Sequence, residues 1–322
     1  MRESEGSGIQ KISVLKRFKS NENTFLFMGL LIYTIACAII EPRFATPYNF
    51  SVLMEQLTVP GILAVGMCVV MISGGIDLSV GQLLSFAACT TADIIYKGGN
   101  VVLAIATGVV LCIAFELFMG FIISRTSLEP FIVSLGFMTI YQGFAYIITA
   151  GAEYPISGTM GFATNVRLFN LPLMFYVALL VFIIFAILFR YARFGRWLYA
   201  VGDNPEAAFL AGINVKNFKL KVYAINGFLV AVASVLMLSR NEVGSPALGT
   251  GLEINAIASC VVGGVAMAGG VGNIPGVLIG AIWMGIISNS LNIVGLSSFY
   301  QYVVTGGIII IAVLINNLRL KK

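Results

Sequence analysis

The sequence predicts an all-α, polytopic membrane protein of about ten transmembrane helices, with both termini cytoplasmic and Gly-rich breaks around a central path. Three observations carry that expectation. Of 322 residues, 59% are hydrophobic and only 10% charged, and the mean hydropathy is +0.97. A soluble domain carries about a quarter charged residues, so this chain has too few to cover a water-facing surface. The apolar residues fall in continuous runs, most of them near the roughly 20 residues that cross a hydrocarbon core, and they do not alternate as barrel strands do. Finally, 15 of the 19 Lys and Arg residues fall in segments that a ten-span topology starting inside places in the cytoplasm.

Residues 1–23 form a basic tail with Arg2, Lys11, Lys16, Arg17 and Lys19. The run Thr24 to Ile40 follows with no small-x-small cleavage site, and reads as an uncleaved first span. Further spans are expected at about 50–73, 76–96, 100–123, 130–150, 171–190, 218–240, 254–268, 273–293 and 297–316, so that 24–322 make one transmembrane domain. The tail, the 124–129 loop, the 190–221 loop and the C-terminal end hold 5, 1, 6 and 3 of the basic residues. The other four, Arg43, Lys97, Arg167 and Arg240, fall in loops assigned to the outside, of which 151–170 is the longest.

Several spans are interrupted. Gly74, Gly75, Asp77, Ser79 and Gly81 join the second and third with hardly a polar linker. Gly263 and Gly264 break the short eighth span, and Gly269, Gly270 and Gly276 separate it from the ninth. Cys-Val-Val precedes both regions, at 68–70 and 260–262. Two compatible readings stand: an internal duplication of the kind transporters carry, and glycines that let helices pack closely.

The long polar interruption 190–221 contains a helix start. Asn204 caps free amides, Pro205 suits the first helical position, and Glu206 sits at the positive end of the dipole. Gly212 closes the helix in a left-handed conformation. A helix of about two turns is unstable alone in water, so it must dock. Its small face of Ala207, Ala208 and Ala211 inserts poorly into lipid, which favours a protein partner over the membrane surface.

The five cysteines lie in apolar runs without C-x-x-C spacing, and histidine is absent. The basic residues follow membrane topology and do not point to nucleic acid. No Ser/His or Cys/His set, metal motif or phosphate loop is found, so the chain is expected to be no enzyme and to bind no ATP itself. Asp77, Asp93, Glu116 and Glu253 are the carboxylates in or near spans, where a charge signals function. For Asp77 a helix cap and a gating role both stand. Asp93 and Glu253 are expected near the outer surface, in water, and Glu116 deeper, with an unnamed partner. Asn289, Ser290, Asn292, Ser297, Ser298, Tyr300, Gln301 and Tyr302, with Tyr141, Gln142 and Tyr146, offer the amides, hydroxyls and rings that a path for a neutral hydroxylated solute uses. Interhelical hydrogen bonds and an interfacial aromatic belt are the other use of the same residues.

Four motifs in order, Gly74-Gly-Ile-Asp-Leu-Ser-Val-Gly81, Tyr199-Ala-Val-Gly-Asp-Asn-Pro-Glu-Ala-Ala208 running on to Ala211-Gly-Ile-Asn-Val215, Gly263-Gly264 with Ala268-Gly-Gly-x-Gly272, and Asn292-x-x-Gly-x-Ser-Ser-x-Tyr-Gln301, resemble the ribose-type permeases of bacterial ABC importers over essentially the whole chain. The resemblance implies a bacterial plasma-membrane (inner-membrane) permease working as a pair of identical or paralogous copies. ATPase subunits, which bind the ATP and Mg, dock on the cytoplasmic side, and an extracytoplasmic binding protein delivers a sugar. It also implies that Asp203, Asn204, Pro205, Glu206, Ala207, Ala208 and Gly212 form the coupling segment. Relatives carry ribose, other pentoses, hexoses, autoinducer-2 and, more distantly, nucleosides. Glu116 departs from the small or neutral residue expected there, which leaves room for a solute other than ribose. The alternative class is a stand-alone secondary carrier or facilitator, against which the few intramembrane charges and the docking-type loop argue.

Overall fold

The structure, a computed structural model, describes residues 22–296, 299–301, 303–308, 310 and 314. The basic tail through residue 21, Ser297, Ser298, Tyr302 and the basic C-terminal end lie outside the described residues.

Helices dominate them: α1 (Glu22–Ile40), α2 (Pro47–Ile72), α3 (Val80–Tyr96), α4 (Val101–Arg125), α5 (Pro130–Thr149), the short α6 (Phe162–Asn165), α7 (Leu173–Tyr191), α8 (Arg193–Asp203), α9 (Pro205–Leu210), α10 (Val215–Asn241), α11 (Leu252–Val262) and α12 (Ile274–Ile293). Two antiparallel pairs of two-residue strands, β1 (Tyr154–Pro155) with β4 (Val243–Gly244) and β2 (Arg167–Leu168) with β3 (Leu171–Pro172), fasten the long loops. Among the described residues, six helices (α2, α4, α5, α7, α10 and α12) are long and apolar enough to cross a membrane. Leu26–Ile40 of α1, α3 and α11 are shorter.

Local chemistry sets the helix starts. Thr46 accepts the Asn49 amide before Pro47 opens α2, Asn100 accepts the amides of Val102 and Leu103 at α4, and Asn273 accepts Gly276 at α12. Helix α2 ends where Gly74 turns left-handed (φ +85°) and its amide and that of Gly75 return to the carbonyls of Met71 and Val70.

Helix α2 is the axis of the bundle. It is buried continuously from Gly61 to Ile72 and packs against α7, α10, α11 and α12. Helix α10 lies against α4, where Gly120 makes room for the Tyr223 side chain and Gly227 for that of Glu116, so the two helices approach closely. At one end of the bundle gather α8, α9, the close of α2, the α4–α5 turn and the start of α12, joined by Arg125 to Asn217 (3.3 Å) and by the Tyr199 hydroxyl to the Gly272 carbonyl (2.7 Å). At the other end Ser51 donates to the Asn170 carbonyl, Arg240 pairs with Glu55 at 3.2 Å, and Tyr96 stacks on Tyr154.

After α10 the chain turns back into the bundle. Gly244 lies against Ala88 and Ala92, and Gly249 against Gly81 and Ser85, so residues 243–251, β4 and the turns after it, descend along most of α3 without forming a helix. Only then does α11 begin. Glu253, expected near the outer surface in water, is therefore buried beside Gly81, with a carboxyl oxygen accepting the Gly251 amide at 3.2 Å. Asp93 is half-buried and paired with Lys97 at 2.8 Å.

Candidate functional site

Helix α8 is amphipathic: Gly195, Leu198 and Val201 face inward while Arg193, Arg196 and Trp197 face out. It stops at Asp203, and Asn204 begins α9 by accepting the Ala207 amide at 2.9 Å, with Pro205 at the first position and Glu206 in the first turn. Gly212 (φ +88°) ends α9, and the amides of Gly212 and Ile213 return to Phe209 and Ala208. Only Ala208 points inward. Asp203, Glu206 and Ala207 are exposed, and Phe209 and Leu210 are 67% and 86% exposed, large apolar surface with no cover among the described residues. Beside them an open cleft of about 1190 Å³ runs between α9, the end of α4 and the start of α10, with Arg125, Lys216 and Lys219 on its walls.

Three backbones converge directly behind α9. The Gly270 amide donates to the Ile72 carbonyl at 2.9 Å. A side chain on Gly202 would collide with that carbonyl, one on Gly269 (φ +94°) with Gly74 and Gly202, and one on Gly270 (φ +72°) with Asp203. The last turn of α8, which leads into α9, thus touches both Gly-rich breaks, almost wholly through main chain. Further in, Gly263 abuts Gly276 and Gly280 abuts Ser259, which brings α11 and α12 together, while Gly264 (φ +84°) turns the chain out of α11.

Above the first break lies a polar cluster. Asp77 and Glu116 are both 0% exposed and converge on the Asn226 amide nitrogen, at 2.7 and 3.5 Å. Asp77 also accepts the amide and hydroxyl of Ser79 at 2.8 and 2.7 Å. Ser79 is the residue that precedes α3, and no side chain caps that helix; Asp77 instead ties the break to α10. Glu116 has the fewer donors, and no Lys or Arg pairs with either carboxylate among the described residues. Asn226 went unnoticed in the sequence because nothing local marks it: 149 residues separate it from Asp77.

The residues offered for a path fall into separate groups. Tyr141 is buried among the rings of Phe86, Phe115 and Phe137, with Gln142 half-buried beside it. Asn289 makes a reciprocal amide pair with Asn49 on α2, both bonds 3.0 Å. Asn292 is exposed and accepts from Gln301 at 2.6 Å. The structure joins Asn292 to Gln301 and gives Asn289 a helix-to-helix bond, and it does not bring these together with Tyr141.

A bundle of apolar spans, interrupted by glycine breaks that meet under one exposed capped helix, defines a multi-pass membrane subunit of the transporter class. Residues 49–313 match the family described as branched-chain amino acid transport system / permease component, and the chain belongs to that family. It is 37% identical over 296 residues to the ribose import permease protein RbsC of Bacillus subtilis (strain 168), covering 90% of this chain and 91% of that one. It is 35% identical over 299 residues to the ribose import permease protein RbsC of Escherichia coli (strain K12), covering 90% and 92%. With the L-arabinose ABC transporter permease protein AraH of Azospirillum brasilense it shares 34% over 295 residues, covering 91% and 87%. No solved structure matches it significantly. The chain is a permease component of the inner membrane that spans it several times.

Proposed function

We infer that the chain is the membrane-spanning subunit of an ATP-driven importer for a monosaccharide or related hydroxylated solute. The family description names amino acids, but the relatives that match along nine-tenths of the chain are sugar permeases, and the closer likeness decides the solute class. ATP and Mg belong to partner ATPases, solute arrives from an extracytoplasmic binding protein, and a second permease copy completes the unit. About ten spans and cytoplasmic termini fit the distribution of Lys and Arg, with the α8–α9 end inside.

The observation that carries the mechanism is the α9 face. A capped helix with exposed Phe209 and Leu210 is built to be gripped, and a push on it passes to the end of α8, where Gly202 and Asp203 lie against Ile72, Gly74, Gly269 and Gly270 at the two breaks. Closure of the ATPases would displace Asp203–Gly212, tilt α2, α3 and α11 about those breaks, and change which side the path opens to. Glu206→Lys should leave membrane insertion intact, keep ATP hydrolysis by the assembled complex, and abolish uptake. Normal uptake by that variant removes α9 from the coupling role. Uptake that survives deletion of the ATPase and follows an ion gradient would establish a secondary carrier instead.

A further inference from the structure

The segment 243–251 is non-helical, yet it runs along α3 inside the bundle. In hydrocarbon a backbone of this kind is tolerated only where protein covers it or water lines it. Protein covers one side: Gly244, Pro246 and Gly249 are buried, and Gly249 donates to the Ser85 hydroxyl at 2.8 Å. The other side is open, with Ala247 and Thr250 exposed and Ser245 half-buried. Thr250 is the last residue of this segment but one; Gly251, in a left-handed conformation (φ +82°) and with no side-chain cap, follows it and leads into α11 at Leu252. The Thr250 hydroxyl is met by the Gln82 amide nitrogen at 3.4 Å, and the Gln82 carbonyl oxygen, on a residue 1% exposed, has no donor among the described residues.

We propose that the open side of 243–251 is the wall of the solute path, and that Thr250 and Gln82 are the pair that recognises solute hydroxyls there. The chemistry is that of a neutral polyol. Thr250 gives and accepts one hydrogen bond, and Gln82 keeps a vacant acceptor for an arriving hydroxyl. Both flank the start of α11, a helix confined to part of the membrane thickness, and interrupted helices of this kind form the solute sites of other transporters. When the breaks at Gly81 and Gly263 move, this wall moves with them, because Gly249 rests directly on Gly81. The proposal rests on the chain conducting a hydroxylated solute, and is independent of what drives it.

The test is reactivity of single cysteines in the full chain in intact cells, in a Cys37→Ser background, since the other four native cysteines are buried. The probe is a charged, membrane-impermeant methanethiosulfonate. Thr250→Cys and Ser245→Cys should react roughly tenfold faster than Ile187→Cys on the lipid-facing side of α7, because attack needs a hydrated thiolate. Ribose delivered during turnover should slow the reaction at Thr250→Cys. Gln82→Leu and Thr250→Val should each lower uptake of ribose and arabinose about tenfold, while ATP hydrolysis by the complex persists. Reaction of both engineered cysteines no faster than Ile187→Cys, in protein present at wild-type levels, overturns the proposal. Unchanged uptake by Gln82→Leu and Thr250→Val also overturns the recognition role. Should uptake prove independent of ATP, fast labelling at Thr250→Cys still supports the path, so the two readings fail separately.

Discussion

At the scale of single residues, glycines differ sharply in what they permit. Gly202 has no room for a methyl group, because the Ile72 carbonyl and the Gly270 amide occupy that space, whereas a methyl on Gly136 in α5 meets nothing within 4 Å. Gly202→Ala should therefore cost about 1–3 kcal/mol through overpacking, read as a lower thermal midpoint in detergent, and Gly136→Ala should be neutral or gain up to about 1 kcal/mol. Asn226→Leu strips the shared donor from two buried carboxylates, and should cost roughly 3 kcal/mol or more in the same measurement. Tyr199 gives a pH signature. Burial pushes its phenol up to about 12, with Cys68 adding to the shift. The contact with Gly272 is whole below the ordinary tyrosine range near 10, and its contribution declines as pH rises toward about 12. Tyr199→Phe should lower the midpoint at neutral pH by the equivalent of about 1 kcal/mol and remove that alkaline decline.

At the scale of elements, α9 was legible because its signals are local: Asn204, Pro205, Glu206 and Gly212 fix both ends within nine residues. Asn204→Ala should cost about 1 kcal/mol of local helix stability. Its expected outcome is a lower ratio of solute imported to ATP hydrolysed in reconstituted vesicles, with the bundle still folded. Helix α8 was missed, although Phe194, Leu198 and Val201 at spacings of four and three mark an inward face opposite Arg193 and Arg196. The polar text of 190–203 had masked that period. Helix α11 was expected to be short, and the structure adds the reason: the chain spends residues 243–251 descending before the helix starts.

At the scale of the whole molecule, hydropathy revealed where the helices lie, because each span answers to lipid along its own length. It could not reveal which polar residues meet. Asp77, Glu116 and Asn226 come from three distant segments, Asn289 finds Asn49 across 240 positions, and Glu253 is buried by a loop whose course depends on α3. Sidedness makes a prediction here. An impermeant thiol reagent should reach Ala207→Cys only from the cytoplasm and Lys97→Cys only from outside, and the reverse pattern would invert the topology. The junction of Ile72, Gly202 and Gly270 has a further meaning for heredity. Where main chain rests on main chain, no compensating change of neighbour can absorb an added atom. A saturation scan of the gene should thus show three narrow zones of intolerance, around codons 72–75, 202–203 and 269–272, remote in the message and adjacent in the protein. On the proposed coupling role, solute preference would have to drift elsewhere, leaving this joint unchanged while the cargo varies.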